Sequence, residues 1–208
     1  MPQKYQLFYQ RHLPHYQPEG ATLFVTFRLA GSLPIEVIQR LEEEACQKEI
    51  EIERIEDLHA RHLATYSAHK QLFSKWDREL DAGVHGPSWL AELSIAQVVS
   101  DALHFLDRSR YDLEAFCIMP NHVHLICKPM SNSSEELYSI SEIMHSLKGY
   151  TARKANRLLG RTGEFWQHES YDHVVRDAAE LERVINYVMQ NPVRAGLETR
   201  WVYRKPIG

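Results

Sequence analysis

The sequence is poor in the features that mark secreted, membrane-bound or disulfide-rich proteins. Among 208 residues it has three cysteines, Cys46, Cys117 and Cys127, and no C-x-x-C pair. A zinc or redox centre is therefore not indicated, and the thiols are expected to be reduced packing residues. No run approaches the roughly 18 to 20 apolar residues of a membrane span, and the first twenty residues lack the basic-then-apolar layout of a signal peptide. We expect a cytoplasmic protein without a membrane partner.

A general excess of positive charge is also lacking, because the formal net charge is −4 at pH 7. This balance argues against bulk attraction to nucleic acid. The charges are unevenly distributed, however: residues 147–208 hold 11 Lys and Arg against 7 Asp and Glu, and the other residues hold 13 against 21. Acidic side chains crowd between residues 42 and 57, in a pattern typical of the solvated face of a helical insert. The C-terminal third remains as the basic surface.

Length and periodicity together predict the fold. The chain, 44% hydrophobic, fits a single domain over residues 1–208 with a helical acidic insertion at about 34–82. Alternation of apolar and polar residues predicts a strand at 22–29, and runs of strand type predict further strands at 112–119, 122–128 and 172–176. Helical spacing predicts helices within 34–80, 88–107, 137–159 and 178–191, the last stopped by Pro192 and Gly196. This order favours an α+β fold, an antiparallel sheet sandwich with packed helices.

Two histidines stand one residue apart in the apolar run MPNHVHLICKP. In a strand, successive side chains point to opposite faces, so His122 and His124 share one face while Val123 and Leu125 point to the other. The two imidazoles could therefore act together as metal ligands, and they would face the last helix or the solvent. The alternative is a pair of ordinary histidines on the wet face of a half-buried strand, which is the more frequent case for an isolated His-x-His.

The last predicted helix aligns a tyrosine with a carboxamide. Its apolar stripe consists of Leu181, Val184, Ile185 and Val188, and a neighbouring face repeats every four residues with Arg183, Tyr187 and Asn191. Tyr187 and Asn191 are therefore one turn apart. Periodicity alone does not separate this pattern from the more common boundary tyrosine that covers the edge of a core.

Basic and aromatic side chains cluster before this helix. The helix predicted over 137–159 carries Lys148, Arg153, Lys154 and Arg157 on its polar side, and Arg161 follows it. These residues form either a solvated helix face or a row of phosphate contacts. Trp166 lies in the aromatic-rich segment GEFWQHESY, where it either anchors a loop in the core or stacks on a nucleic-acid base.

Three segments of the sequence, taken in order, resemble the single-tyrosine transposases of the HUH class, specifically the REP-associated tyrosine transposase group. These segments are MPNHVHLI, LKGYTARKANRLL and GEFWQHESYDHVVRDAAELERVINYVMQNPVRAGL. The resemblance spans most of the chain, and it makes the acidic helical segment an insertion relative to the smaller members. His-x-His is a weak motif alone, but it is specific when the Trp segment and Y-x-x-x-N-P-V follow it. The fold that this resemblance implies is a ferredoxin-like or RRM-like HUH core.

The resemblance implies a role for each candidate residue. His122 and His124 would bind a divalent cation, Mg²⁺ or Mn²⁺, with Asn191 as a third, oxygen ligand. Tyr187 would be the nucleophile that cleaves single-stranded DNA folded as REP-like hairpins, forming a covalent 5'-phosphotyrosine and leaving a free 3' hydroxyl. The remaining candidates would contact the DNA: Lys148, Arg153, Lys154, Arg157, Arg161, Trp166 and Arg183. Because ligation needs neutral imidazoles, activity is expected to fall as the pH drops through about 6.5. Monomer and homodimer both remain open.

Other functions are weighed against the same residues. A metallo-β-lactamase-like nuclease would need H-x-H-x-D-H, a histidine-triad hydrolase would need a histidine in place of Ile126, and neither pattern is present. Tyr171, and after it Tyr150, are weaker candidates for the nucleophile, because neither has a carboxamide one turn later on a terminal helix. A non-catalytic protein that binds DNA hairpins and an RNA-processing relative remain the alternatives.

Overall fold

The computed structural model describes residues 20–83, 85–198 and 200–206, which separate into two compact units. Within these ranges, one unit comprises residues 31–86, and the other comprises residues 20–30 together with residues 87–206. The first nineteen residues, where the sequence lacks a signal-peptide layout, lie outside the described residues.

The first unit is a pair of helices, α1 (Ile35–Glu53) and α2 (Leu58–Asp81). α2 begins at a polar cap, because the Asp57 side chain accepts a hydrogen bond of 2.6 Å from the Ala60 amide. Exposed ion pairs join the two helices: Arg40 with Glu79, and Lys75 with Glu44. Helices are thus found where the acidic helical segment was predicted, and its status as an insertion within one domain stays a prediction.

The second unit is built on one five-stranded sheet. Its strands, in chain order, are β1 (Thr22–Leu29), β2 (Tyr111–Ile118), β3 (His122–Pro129), β4 (Trp166–Val175) and β5 (Val202–Arg204). Across the sheet the order is β4-β1-β3-β2-β5, and every neighbouring pair is antiparallel. β3, which carries the two histidines, is therefore the central strand.

The described residues of this unit also form the helices α3 (Leu93–Leu106), which follows a 3₁₀ turn at Trp89–Ala91, α4 (Ile140–Leu158) and α5 (Ala178–Arg194). α4 begins with a capping box formed by Ser139 and Glu142. α5 begins at Asp177, whose side chain accepts a hydrogen bond of 2.7 Å from the Glu180 amide. Over the residues that the structure describes, no helix has both the length and the apolar character needed to cross a membrane.

One face of the sheet consists of apolar side chains that are buried in the hydrophobic core. Leu23, Val25 and Phe27 of β1 and Val123 and Leu125 of β3 are at most 1% exposed, and they join the hydrophobic core formed with α3 and α4. Full burial of each such side chain contributes about 1.5–3 kcal/mol relative to exposure. Because alternate residues of a strand point to opposite faces, the residues between them lie on the other side of the sheet.

The other face carries polar side chains beneath α5. Thr26 of β1 and His122 and His124 of β3 point to this face and are buried. Ile185 and Val188 of α5 are buried as its apolar stripe predicts, and the helix contacts β2. The two histidines are therefore enclosed between the sheet and the last helix.

The predicted α+β architecture, an antiparallel sheet with packed helices, is confirmed, but three details differ from the prediction. β4 begins at Trp166 rather than near Asp172, because its first residues also pair with β1, across a bulge. α5 continues past Pro192 to Arg194, since a proline in the last turn interrupts little of the helix. β5 was not predicted, because its three residues are a strand only through their pairing with β2.

Candidate functional site

The two histidines of β3 lie side by side beneath α5. Both are 0% exposed, and Nε2 of His122 lies 3.1 Å from Nε2 of His124. The alternation of the strand predicted that they share a face. Their burial is incompatible with the alternative of ordinary histidines on a solvated surface.

Each imidazole is held through its other ring nitrogen. Asn121 Oδ1 lies 2.7 Å from Nδ1 of His122, and Thr26 Oγ1 lies 2.8 Å from Nδ1 of His124. Because a carboxamide oxygen only accepts, Nδ1 of His122 donates and its Nε2 carries a lone pair. The Thr26 hydroxyl can accept from Nδ1 of His124 in the same way. Two Nε2 lone pairs then converge, which is the arrangement by which neutral histidines bind a metal ion.

Asn191 of α5 adds a carboxamide to the same point. Its Nδ2 lies 3.2 Å from Nε2 of His124 and 3.1 Å from Oη of Tyr187. Its Oδ1 is buried and has no hydrogen-bond partner among the described residues. Turning the carboxamide over exchanges the two atoms without changing its shape. The oxygen then faces both the imidazole nitrogen and the phenol, as a metal ligand at this position requires.

These three side chains fit a divalent cation. Two ligand atoms that lie about 2.1 Å from one ion, at a right angle to each other, are about 3 Å apart. The two Nε2 atoms are separated by 3.1 Å. Imidazole suits Mn²⁺ better than Mg²⁺, whereas an amide oxygen suits either cation. His122, His124 and Asn191 can therefore hold such an ion and leave coordination positions for water or phosphate oxygens.

Burial keeps both imidazoles neutral. It lowers the pKa of His122 to about 3. Burial, and then the neighbouring His122, lower the pKa of His124 well below its usual value. Neutral imidazole is the form that binds metals. Any loss of ligation by protonation is therefore expected at more acidic pH than the value near about 6.5 that the sequence predicted, because desolvation disfavours the charged ring.

Tyr187 reaches the same place from α5. It precedes Asn191 by one helical turn, and its Oη accepts a hydrogen bond from Nδ2 of Asn191. Its half-buried ring packs edge-on against Phe24 and His124, with ring centroids 6.3 and 5.7 Å away. The phenolic oxygen therefore lies beside the group of residues that can hold the cation.

The residues predicted to contact DNA fall into two sets in the structure. Arg153, Lys154 and Arg157 of α4 and Arg183 of α5 are exposed. Exposed basic side chains at one-turn spacing can follow a nucleic-acid backbone. These four residues therefore retain the surface position that their predicted role requires.

Lys148, Arg161 and Trp166 instead contact other parts of the protein. Lys148 Nζ donates to the carbonyl oxygens of residues 167, 168 and 169 at 3.0, 3.1 and 3.3 Å. The Arg161 guanidinium lies 4.0 Å over the Trp89 ring. Trp166 is 6% exposed, and its indole N–H donates to Thr151 Oγ1 at 2.8 Å. The indole is thus a core anchor, because β4 begins earlier than predicted and turns this ring inward.

Three residues beside the histidines were not singled out by the sequence: Asn121, Thr26 and Arg28. Asn121 carried a signal, since it immediately precedes His122. Thr26 and Arg28 become neighbours of the histidines only through the β1–β3 register, which places Thr26 opposite His124 and Arg28 opposite His122. Thr26 and His124 are 98 residues apart in the sequence.

The rival tyrosines lie on different faces of the sheet. Tyr150 is exposed on α4, which packs on the face opposite the histidines, and Lys154 Nζ lies 5.9 Å from its ring. Tyr171 is opposite Thr26 in the β1–β4 register and therefore shares the face of the histidines. Tyr171 is thus the useful comparison for Tyr187, which is hydrogen-bonded to Asn191.

Comparison with known proteins shows what the region around this site is similar to. Residues 93–191, from the start of α3 into the last turn of α5, match the family model described as Transposase IS200 like. The matched region contains both histidines, Tyr187 and Asn191. This part of the chain is therefore similar to the IS200-like transposases.

A more particular likeness lies within that class. A protein of Haemophilus influenzae with the provisional name REP-associated tyrosine transposase is 25% identical over 91 residues, which are 41% of this chain and 52% of that protein. The match thus spans about half the length of this curated relative. The resemblance to the REP-associated tyrosine transposases predicted from the motifs is confirmed. A solved structure of the REP-associated tyrosine transposase bound to a REP hairpin is also similar, with 15% identity, 90% of this chain and 78% of that chain covered, and a TM-score of 0.47.

Proposed function

We propose that this protein cleaves and rejoins hairpin-forming single-stranded DNA through a covalent 5'-phosphotyrosine on Tyr187, with Mg²⁺ or Mn²⁺ bound by His122, His124 and Asn191. One observation carries the proposal: the two imidazoles, the carboxamide and the phenol form a continuous chain. Successive members are 3.1, 3.2 and 3.1 Å apart. A nucleophile and a cation-binding group are thus within reach of one phosphate.

Each residue has a defined task in this proposal. A divalent cation bound here would polarise a phosphate oxygen of the scissile bond. Asn121 holds His122 in the tautomer that presents Nε2, and Thr26 holds the ring of His124 through its Nδ1. Asn191 positions the Tyr187 hydroxyl. Phe24 supports the tyrosine ring and limits its movement.

The chemistry conserves phosphodiester bonds. Oη of Tyr187 forms a bond to phosphorus while the bond from phosphorus to the 3' oxygen breaks. The phenolic proton passes to solvent, and the departing 3' oxygen takes a proton from water. The phosphotyrosine keeps the bond energy, so another 3' hydroxyl can reverse the step without ATP. A water nucleophile would hydrolyse the strand and stop, and the tyrosine therefore makes the difference between transfer and hydrolysis.

Hairpin DNA is the substrate class that the similar proteins support. The matched family is a transposase family, and the curated relative is named for its association with REP elements. In this proposal Arg153, Lys154, Arg157 and Arg183 contact phosphates of the strand. The residues bound to protein groups, Lys148, Arg161 and Trp166, shape the segment between α4 and β4.

The test is the formation of a covalent adduct. The protein is incubated with labelled single-stranded hairpins and Mn²⁺, and a denaturing gel shows any protein–DNA adduct. The adduct should be absent in Tyr187→Phe, which keeps the ring and loses only the oxygen, while hairpin binding is retained. Tyr171→Phe is the matched control, because Tyr171 shares the same sheet face. An adduct that persists in Tyr187→Phe would move the nucleophile to another tyrosine.

The metal is tested separately. His124→Ala should lose the adduct in both Mg²⁺ and Mn²⁺ while the fold, followed by circular dichroism, survives. Cleavage in excess chelator would contradict the cation site. Tight hairpin binding by the unmodified protein with no adduct in either metal would favour the alternative, a non-catalytic hairpin-binding protein.

A further inference from the structure

Arg28 is a basic residue at the candidate site to which the proposed reaction gives no task. It lies on β1 directly opposite His122. Its two neighbours in the strand, Phe27 and Leu29, are buried in the core on the other face, so the Arg28 side chain points to the face of the histidines. Side chains directly opposite in an antiparallel pair have Cβ atoms about 4.5–5.5 Å apart. The arginine therefore starts beside one of the two candidate imidazole ligands.

The charge of Arg28 is held in a partly desolvated place. Burial lowers its pKa to about 10, so the guanidinium remains protonated at neutral pH. The pKa of Lys148 is lowered to about 8, chiefly by burial, and Arg28 adds to this lowering. The charges of Arg28 and Lys148 are thus close enough to repel each other. A guanidinium in such surroundings binds a phosphate more strongly than one in free solvent, because water screens it less.

The order of residues along the strands places Arg28 and Tyr187 at opposite ends of the site. The Tyr187 ring contacts Phe24 and His124. Phe24 and Arg28 are four residues apart on β1, which is about 13 Å along a strand. The two Nε2 atoms lie between these ends, since His124 is opposite Thr26 and His122 is opposite Arg28.

This order has a chemical meaning if the proposed function holds. In phosphoryl transfer, the attacking oxygen and the leaving oxygen are in line on opposite sides of phosphorus. A phosphate held beside the two Nε2 atoms and attacked from the Tyr187 side would expel its leaving group toward Arg28. We propose that Arg28 donates hydrogen bonds to the departing 3' oxygen of the scissile phosphodiester, an inference that rests on the proposed function. In the reverse, joining reaction, Arg28 holds the 3' hydroxyl in place.

Arg28 takes no proton away and gives none in this step. The bond from Tyr187 Oη to phosphorus forms, the bond from phosphorus to the 3' oxygen breaks, and negative charge develops on that oxygen. The guanidinium stabilises this charge through its N–H groups until water supplies the proton. Such charge-assisted hydrogen bonds are among the stronger ones in proteins.

A sulfur substitution tests the assignment. Once the cleavage position is mapped, two hairpins are compared: one with the natural 3' oxygen at the scissile bond, and one with sulfur in its place. A thiolate leaves readily and needs no such hydrogen bond. Arg28→Ala should therefore cleave the oxygen hairpin about 10- to 100-fold more slowly than the unmodified protein. The sulfur hairpin should be cleaved at nearly the unmodified rate.

Controls separate this role from a general loss of charge or fold. Lys128→Ala removes an exposed positive charge from β3 at about 20 Å along the strand from His122, and it should leave both rates unchanged. The Mn²⁺ binding isotherm, measured by calorimetry without DNA, should be the same for Arg28→Ala as for the unmodified protein. Where Arg28→Ala does not melt cooperatively, Arg28→Gln, which removes the positive charge, carries the same comparison.

The possible outcomes are distinguishable. An equal defect on both hairpins would refute a role at the leaving oxygen, and so would a loss of Mn²⁺ affinity, which would show that Arg28 acts through the histidines. Unchanged cleavage of the oxygen hairpin in Arg28→Ala would also overturn the assignment while leaving the proposed function intact. Absence of any adduct with the unmodified protein on either hairpin would instead remove the proposed function itself, and the role of Arg28 with it.

Discussion

Replacing Thr26 by valine tests whether a hydroxyl on β1 orients a metal ligand on β3. Valine keeps the β-branched shape that suits a strand but removes Oγ1, which lies 2.8 Å from Nδ1 of His124. The imidazole then loses the hydrogen-bond partner at Nδ1 that holds its ring orientation. Loss of such an outer partner weakens metal binding by about 10- to 100-fold, or about 1.4 to 2.7 kcal/mol.

The assay is a Mn²⁺ titration of the DNA-free protein by calorimetry, together with adduct formation measured as a function of Mn²⁺ concentration. In Thr26→Val, both midpoints should rise by the same factor, and the adduct should reach its normal plateau at saturating Mn²⁺. Thr151→Val is the matched control. Thr151 is a fully buried threonine that accepts from the Trp166 indole and donates to the Leu147 carbonyl on the other side of the sheet. It should lower the melting temperature without changing either midpoint.

Two results would refute this reasoning. An unchanged Mn²⁺ isotherm in a folded Thr26→Val protein would show that the hydroxyl does not orient the ligand. An equal weakening in Thr151→Val would show that the effect is a general loss of stability rather than a change at His124.

Three further predictions follow from the structure. First, because burial lowers the pKa of His122 to about 3, Mn²⁺ affinity measured by calorimetry should persist below the ordinary histidine range near about 6.5. The metal-free protein should at the same time lose stability as the pH falls below about 6.5, since the unfolded chain takes up protons that the buried rings do not, and a flat melting temperature from neutral to acidic pH would contradict this. Second, replacing Arg153 and Lys154 by alanine should weaken binding of all hairpins and make the salt dependence shallower by about 0.7 per lost contact, whereas an unchanged slope would identify a solvated face. Third, Lys148→Met should destabilise the fold by about 1–3 kcal/mol, because three carbonyl oxygens lose their donor. Its melting temperature should drop by several degrees, and a normal melt with a shallower salt slope would instead make it a phosphate contact.

Local periodicity was sufficient to predict the main elements of the fold. The first strand was predicted at 22–29 and lies at Thr22–Leu29, and the helices predicted over 137–159 and 178–191 correspond to α4 and α5. Such elements are defined by neighbours in the sequence, since a buried strand alternates every two residues and an amphipathic helix repeats about every 3.6. β5 lacked this signal, because three residues are too few for a pattern.

The same reasoning explains which parts of the candidate site were visible in the sequence. His122 and His124 share a face because they are two residues apart in a strand, and Tyr187 and Asn191 are aligned because they are four apart in a helix. These pairings depend only on local backbone geometry. That the two pairs meet at distances of about 3 Å depends on the packing of α5 over β3, which no short stretch of sequence contains.

Only the tertiary structure decided the surroundings of those four residues. Thr26 and Arg28 lie beside the histidines because of the β1–β3 register, and a register is set by long-range hydrogen bonds and by the burial of a whole face. Lys148, predicted for the DNA surface, is turned to the carbonyl oxygens of residues 167–169 because the bulge in β4 exposes them to it. Carbonyl groups that lack a backbone partner form hydrogen bonds with a flexible amine wherever folding brings the two together. Because these residues are far apart along the chain, no local sequence pattern predicts the contact.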